Sequence, residues 1–316
     1  MFSGDVMGTG FNVRLLAPGR DEQGRQELEN AVNSELSAVD DLMTTYRDSE
    51  VTRFNRWQSL EAFAVSEATA QVVALALDLA IATEGALDIT IAPLVEALGF
   101  GAASPPGPIS TADLEALRGQ VGYFRLSIDP EGRLLKGTPE LQIDLSAVAK
   151  GFAVDRAAAA LEHLAIDDYL IEVGGEIRAK GVNEEGVPWR VGIERPSYAG
   201  TRRTQRVLAL RNLALATSGD YRNYREVDGQ RLSHLIDPRS GASIDHRVAS
   251  ATVVHPDCAT ADGLATAMMV LGESGLELAE ARGWAVLMIA RDGDRFVELH
   301  TTAFRRLVES ADREGT

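Results

Sequence analysis

The sequence contains a single cysteine, Cys258, among its 316 residues. One cysteine excludes an internal disulfide and any metal cage built from several thiolates. No apolar run reaches the roughly 18 residues that a membrane-spanning helix needs, so no transmembrane segment is predicted. Cys258 is therefore expected to act as a small buried apolar residue.

Basic residues are also scarce. The chain has 31 lysine and arginine residues against 47 aspartate and glutamate residues, which gives a formal net charge of −16. This excess argues against nucleic acid or an anionic membrane as a partner. A ligand that carries phosphate would need a local positive group or a bound metal ion.

The stretch from Ser250 to Gly272 predicts a buried strand, a turn and an apolar helix. Asp262 and Thr266 lie one turn apart on the same face of that helix, where both need polar partners. One interpretation is that Thr266 bonds back to the carbonyl of Asp262. The other is a magnesium site in which carboxylate, hydroxyl and a backbone carbonyl supply oxygen ligands. The second interpretation requires a carbonyl from elsewhere in the chain.

Residues 141–164 predict a strand, a turn from Asp144 to Lys150 and an alanine-rich helix. Asp144, Ala147 and Lys150 recur every three residues, so the turn is able to present all three to one ligand. A strand followed by small residues and a lysine is similar in outline to a phosphate cradle, although the Walker spacing of glycines is absent. The alternative is an ordinary capped helix with a solvent-exposed lysine.

Three shorter features leave alternatives open. Gly8-Thr9-Gly10 indicates either a close approach of the backbone to a ligand or a plain hairpin turn. The junction Ala86-Leu87-Asp88 is predicted to be exposed. His234 lies at the end of a predicted strand, where a structural histidine and a functional one are both consistent with the sequence.

Five stretches, in order, carry a resemblance that covers nearly the whole chain. They are MGTGFNV, LDITIAPLVEALGFG, IDLSAVAKGFAVD, VGGEIRAKG, and TSGDYRNY running into LSHLIDPRSG and ADGLAT. Together they resemble the ApbE-like flavin transferases, the FAD:protein FMN transferases. The resemblance implies an enzyme that transfers FMN from FAD to a serine or threonine of a target protein through a phosphoester bond, and releases AMP.

The resemblance also implies a set of site residues. It places magnesium on Asp262, Thr266 and the backbone carbonyl of Ala147, and it leaves His234 and Asp262 as candidates for the catalytic base. The residues that it implies in binding FAD are Met7, Tyr46, Ala86, Leu87, Asp88, Asp144, Lys150 and Ile236.

The implied acceptor carries a D-x-x-[ST]-G-A-[ST] motif and is expected to be a subunit of a redox complex. Residues 237–243 of this chain, DPRSGAS, fit the same pattern, so Ser243 is either a site of self-modification or part of an ordinary turn. The implied location is the periplasmic side of the inner membrane, as a lipoprotein whose leader is absent from this chain. A cytoplasmic location stays open.

The predicted fold is α/β. It has two packed lobes of mixed sheets flanked by helices, with the ligand cleft between the lobes, and it forms a single domain over residues 1–316. Two other functions stay open. One is a pyrophosphatase that hydrolyses FAD to FMN and AMP, and the other is a non-catalytic flavin-binding protein.

Overall fold

The computed structural model describes residues 1–102, 109–197, 203–221, 224–227, 230–293 and 295–314. The strands are β1 (Phe2–Val6), β2 (Thr9–Leu15), β3 (Leu126–Ile128), β4 (Leu134–Lys136), β5 (Tyr169–Val173), β6 (Glu176–Lys180), β7 (Trp189–Glu194), β8 (Thr204–Leu210), β9 (Leu213–Gly219), β10 (Tyr224–Val227), β11 (Gln230–Ser233), β12 (Val248–His255), β13 (Ala285–Asp292) and β14 (Arg295–His300).

The helices are α1 (Glu22–Met43), α2 (Glu50–Arg56), α3 (Glu67–Ala82), α4 (Ala92–Ala97), α5 (Thr111–Arg118), α6 (Ser146–His163), α7 (Cys258–Leu271), α8 (Gly275–Arg282) and α9 (Thr302–Glu314). Among these described helices, none is both long enough and apolar enough to cross a membrane.

The chain divides into two compact units. Unit 1 comprises Met1–Asp40, Lys150–Arg222 and Arg247–Thr316, and unit 2 comprises Asp41–Ala149 and Asn223–His246. The first two boundaries, after Asp40 and after Ala149, fall within helices, since α1 and α6 each contribute residues to both units. The single domain over residues 1–316 stays a prediction.

Unit 1 is built on an eight-stranded sheet with the order β1-β2-β5-β6-β9-β12-β13-β14. Its neighbouring strands pair antiparallel throughout. β12 is buried along nearly its whole length, because both faces of the sheet are covered there. The α/β class predicted from the sequence is confirmed, with the sheet antiparallel where mixed pairing was expected.

One face of this sheet is covered by the β7–β8 hairpin and by α9. Trp189, Val191 and Leu208 of the hairpin and Phe304 of α9 form a buried cluster with Ile177 of β6 and with residues of β9, β12 and β13. α7 packs against β6, β9 and β12. Side chains alternate between the two faces of a strand, so Glu176 and Arg178, which flank Ile177 in β6, point away from this cluster.

Helix α6 meets the start of α7 at a very short separation. A Cβ atom added at Gly151 would lie 2.7 Å from the Cα of Ala259, and closer still to the carbonyl oxygen of Cys258. Only glycine therefore permits this approach. Cys258 is fully buried at the contact, as predicted from its residue type.

Unit 2 contains α2, α3, α4 and α5 with two short hairpins, β3–β4 and β10–β11. Leu94, Val121 and Ile236 form a buried cluster, with apolar residues of α4 and α5 packed against it. Ser66 is the N-cap of α3, since its hydroxyl accepts a hydrogen bond from the backbone N–H of Thr69. That bond satisfies one of the unpaired donors at the start of the helix.

The strand break near Gly8-Thr9-Gly10 is a hairpin turn. β1 ends at Val6 and β2 begins at Thr9, so Met7 and Gly8 form a two-residue connection. Both have positive φ, 51° and 71°, which matches the turn geometry that two-residue hairpins favour. The turn itself is therefore observed, and an approach of its backbone to a ligand stays a prediction.

The contact between α6 and α7 gives the first testable prediction. Gly151→Ala should lower the free energy of unfolding by about 1–3 kcal/mol, because the added methyl group displaces backbone atoms. Gly24→Ala is the matched control, since the nearest atom there belongs to the flexible Arg20 side chain, at 3.0 Å. The control should be neutral or stabilising by about 0.5–1 kcal/mol. Urea unfolding of both variants tests this, and equal stabilities would contradict the close approach.

Candidate active site

Helix α6 passes from unit 2 into unit 1 at Lys150, and several predicted site residues lie at or just before its start. Asp144 precedes the helix, and its side-chain oxygen accepts a hydrogen bond from the backbone N–H of Ser146 at 2.8 Å. Because α6 starts at Ser146, Ala147 and Lys150 lie in helical turns and do not belong to an extended turn as predicted. The three-residue spacing therefore reflects a capped helix start.

Polar side chains of β6 point at α6 and form ion pairs with it. Lys150 Nζ lies 2.9 Å from Glu176 Oε1, at the start of β6. Farther along, Arg178 pairs with Asp155 at 2.5 Å and Lys180 pairs with Glu162 at 3.2 Å. In the last two pairs the strand carries the cation, whereas in the first pair the helix carries it.

The start of α7 is capped from α6. Both oxygens of Asp155 accept hydrogen bonds, from the backbone N–H groups of Cys258 at 3.0 Å and Ala259 at 2.9 Å. Asp257 occupies the N-cap position itself, but its side chain makes no capping bond. Asp155 therefore fixes where α7 begins, and Arg178 holds Asp155 in place.

Asp262 lies one turn into α7 and is only 4% exposed. Its Oδ2 accepts a hydrogen bond from the backbone N–H of Gly151 at 3.0 Å, and its Oδ1 lies 3.6 Å from Lys150 Nζ. Burial raises the pKa of Asp262 to about 7, with Glu176 adding to the rise while Lys150 and Gly151 oppose it. The positive partners of Asp262 therefore do not fully offset the cost of burying its charge.

Among the described residues, Lys150 is the only cationic side chain that pairs with Asp262. Its side chain is 30% exposed, so the ammonium lies at the edge of the protein interior. Burial lowers the pKa of Lys150, but Asp262 and Glu176 outweigh that effect and raise it above its ordinary value. Lys150 is therefore held as a cation.

Thr266 is half-buried on the same face of α7 as Asp262, one turn farther on. Within the described part of the chain, its hydroxyl makes no hydrogen bond to the carbonyl of Asp262, so the back-bonding interpretation is not observed. The hydroxyl is left available to a ligand.

Glu176 is the residue of this site that the sequence prediction missed. It is 3% exposed, and its Oε2 has no hydrogen-bond partner among the described residues. The missed signal lay in VGGEIRAKG, where Glu176, Arg178 and Lys180 alternate with apolar residues in a strand covered on both sides. Such an alternation marks a strand face that needs charged partners.

The junction Ala86-Leu87-Asp88 was predicted to be exposed, and this is wrong. The three residues are 1%, 3% and 6% exposed. Asp88 accepts hydrogen bonds from the backbone N–H and hydroxyl of Thr90 and from the backbone N–H of Tyr123. Burial raises the pKa of Asp88, while these bonds oppose the rise. The Asp88 carboxylate therefore links the segments around Thr90 and Tyr123 within unit 2.

The other predicted residues of unit 2 differ in exposure. Tyr46 is 77% exposed, which leaves its ring free for stacking. Ile236 is 3% exposed and forms a backbone bridge with Ser243. His234 lies edge-on to Phe100, with ring centroids 6.3 Å apart.

The DPRSGAS segment has the structure of a turn. The Ser243 hydroxyl donates a hydrogen bond to the carbonyl of Ser233 at 2.7 Å. Arg239 pairs with Asp237 within the same segment. These local bonds are those of the ordinary turn interpretation.

The structure thus brings Lys150, Asp262 and Thr266 together in unit 1, with Glu176 added. Met7 lies in the same unit, in the turn before β2, and β2 is linked to β6 through β5. The predicted residues of unit 2 are Tyr46, Ala86, Leu87, Asp88, Asp144, Ala147, His234 and Ile236.

The donor set in unit 1 suits a hard cation better than a soft one. Within the described residues, no three His, Cys, Asp or Glu side chains group as a metal cage. Asp262 and Thr266 nevertheless offer oxygen atoms, and two buried carboxylates face one ammonium. Oxygen donors with an excess of negative charge fit magnesium, which keeps several ligand positions for water and phosphate.

The chain is similar to one known family over most of its length. The model of the ApbE family matches residues 7–288. The chain is 46% identical to an FAD:protein FMN transferase of Vibrio cholerae, over 96% of this chain and 91% of that protein. It is 39% identical to one of Escherichia coli K12, over 98% of this chain and 89% of that protein.

Solved structures agree with the sequence relatives. A flavin transferase ApbE from Vibrio cholerae aligns with a TM-score of 0.87 at 44% identity, and covers 97% of this chain and 98% of its own. A flavinyl transferase ApbE from Pseudomonas stutzeri, in its apo form, aligns with a TM-score of 0.88 at 37% identity, covering 97% of this chain and 96% of its own.

The capping of α7 gives the second prediction. Asp155→Asn removes the charge that two backbone N–H groups and Arg178 share, so the free energy of unfolding should fall by about 1–3 kcal/mol. Asp257→Ala is the matched control, because Asp257 holds the N-cap position without a capping bond, and it should change stability by less than about 0.5 kcal/mol. Thermal unfolding of both variants tests this. A larger loss of stability in Asp257→Ala than in Asp155→Asn would contradict Asp155 as the cap of α7.

Proposed function

The chain belongs to the ApbE family and transfers FMN from FAD to a target protein, and from this premise we propose that the transfer requires magnesium and modifies a serine or threonine hydroxyl. The observation that carries the proposal is the buried Asp262, with Lys150 beside it and the Thr266 hydroxyl one turn away. Asp262, Thr266 and the backbone carbonyl of Ala147 are the proposed magnesium donors.

The proposed reaction is a displacement at phosphorus. The acceptor hydroxyl oxygen attacks the phosphorus on the FMN side of the pyrophosphate, and the bond from that phosphorus to the bridging oxygen breaks. AMP leaves with the bridging oxygen, while the hydroxyl proton passes to a base. Magnesium, when bound, offsets the phosphate charge and stabilises the charge that develops as this bond breaks.

His234 is the proposed base. Asp262 already accepts the N–H of Gly151 and faces Lys150, and it is also the proposed metal donor. As a metal donor, Asp262 would not be free to take the proton of the acceptor hydroxyl. A histidine has its ordinary pKa near neutral pH, which suits proton transfer under physiological conditions.

FAD binding is proposed at Met7, Tyr46, residues 86–88, Asp144, Lys150 and Ile236. At residues 86–88 the contribution is that of backbone and shape, because Asp88 spends its carboxylate on Thr90 and Tyr123. Tyr46 supplies an exposed ring for stacking, worth about 0.5–1.5 kcal/mol beyond burial. Lys150 supplies a point charge to the phosphates.

The acceptor is proposed to carry the D-x-x-[ST]-G-A-[ST] motif and to belong to a redox complex. A periplasmic location with a lipid anchor is likewise proposed from the family resemblance. Neither proposal depends on the geometry of Asp262.

The third prediction tests the magnesium assignment. Asp262→Ala should reduce FMN transfer by ~10²-fold or more, because it removes electrostatic stabilisation of the displaced phosphate. The assay incubates enzyme, FAD and a domain carrying the acceptor motif, with magnesium or with a chelator, and reads the acceptor by intact mass. Asp257→Asn, an exposed carboxylate just before the same helix, should keep the wild-type rate.

The outcomes separate the competing functions. Transfer that persists in the chelator would contradict the magnesium requirement. Release of free FMN and AMP without labelling of the acceptor would favour the pyrophosphatase. FAD that stays bound and unchanged would leave only a flavin-binding protein.

A further inference from the structure

The contacts of Lys150 are unequal, and they point to a role for Glu176. The ammonium of Lys150 is 2.9 Å from Glu176 Oε1 but 3.6 Å from Asp262 Oδ1. The first distance is that of a charge-assisted hydrogen bond, and the second is beyond hydrogen-bond range. Lys150 is thus drawn toward β6 and away from α7.

Glu176 has an oxygen that is able to accept a further hydrogen bond from the ammonium of Lys150. Its Oε2 is buried without a hydrogen-bond partner among the described residues, which is costly for a carboxylate oxygen. An ammonium group has three N–H donors. A small shift of Lys150 would let it bond both oxygens of Glu176, at the expense of the contact with Asp262.

The other ion pairs between α6 and β6 show that Glu176 is not needed to hold the two elements together. Arg178 and Lys180 already join β6 to Asp155 and Glu162 of the helix. In those pairs the strand carries the cation, whereas in the pair with Lys150 the strand carries the carboxylate, Glu176. Glu176 is therefore a second buried carboxylate close to Asp262. Two carboxylates and one ammonium leave one excess negative charge, which is unfavourable in a buried site unless a further cation binds.

We propose that Glu176 is a positioning residue that holds the Lys150 ammonium off Asp262, so that Asp262 stays available to a divalent cation. Without Glu176, Lys150 pairs fully with Asp262 and competes with the cation for the same oxygens. This inference rests on the proposed magnesium site, and it adds that Lys150 and Glu176 together set how tightly the cation binds.

The test compares the magnesium affinity of the wild type, Glu176→Gln, Lys150→Gln and the double variant. Calorimetry without FAD measures it, so that catalysis plays no part. Glu176→Gln should weaken binding by about 10–100-fold, the range for residues that orient metal ligands. Lys150→Gln should bind magnesium at least as tightly as the wild type, because the competitor is gone. The double variant should return to within about threefold of the wild type, since both charges are removed together.

The double variant distinguishes positioning from direct ligation. If Glu176 were itself a magnesium ligand, the double variant would bind magnesium at least about tenfold more weakly than the wild type, and that result would overturn the proposal. This comparison with the wild type needs no data from the single Glu176 variant, so it holds even if that variant fails to fold. Thermal unfolding of each protein without magnesium checks the fold.

Glu162→Gln is the matched control, because it removes a carboxylate from another ion pair between the same helix and strand. It should leave magnesium affinity unchanged. An equal loss in Glu162→Gln and Glu176→Gln would reduce the role of Glu176 to that of a structural ion pair and overturn the inference. Absence of magnesium binding to the wild type would instead refute the metal site itself.

Discussion

The close approach of α6 to α7 is the constraint on which the site in unit 1 depends. Gly151 lets the two helices meet at backbone distance, and its N–H then donates to the Asp262 carboxylate. The same approach places Lys150, the residue before Gly151, beside Asp262. A side chain at Gly151 would push apart the helices that carry the ammonium and the carboxylate.

Electrostatics explain why that contact matters in so acidic a protein. With a net charge of −16, the surface as a whole repels a phosphate-bearing ligand. Charge at the site is governed locally, by one lysine between two buried carboxylates. A divalent cation added there would change the charge of the group from −1 to +1, which would favour a phosphate at the same place.

Much of the fold followed from local pattern. The buried strand and the apolar helix within residues 250–272 were predicted because both depend on local periodicity. The pairing of Asp262 with Thr266 on one helix face followed from helix geometry in the same way. Prediction failed where neighbours were distant in sequence. Asp88 looked exposed because its partner Tyr123 lies 35 residues away. The cap of α7 was not predicted, because Asp155, which supplies it, lies 103 residues before Cys258.

The sequence by itself determined the family, the helix faces and the residue types available for chemistry, because motifs and periodicity are local and are read directly from the chain. Only the tertiary structure decided which charges meet. In the sequence Glu176 is marked only by its alternation with apolar residues along β6. Its contact with Lys150 on α6 is visible only in the folded structure. The physical reason is that the energy of a buried charge depends on its neighbours in space, and these are brought together by packing.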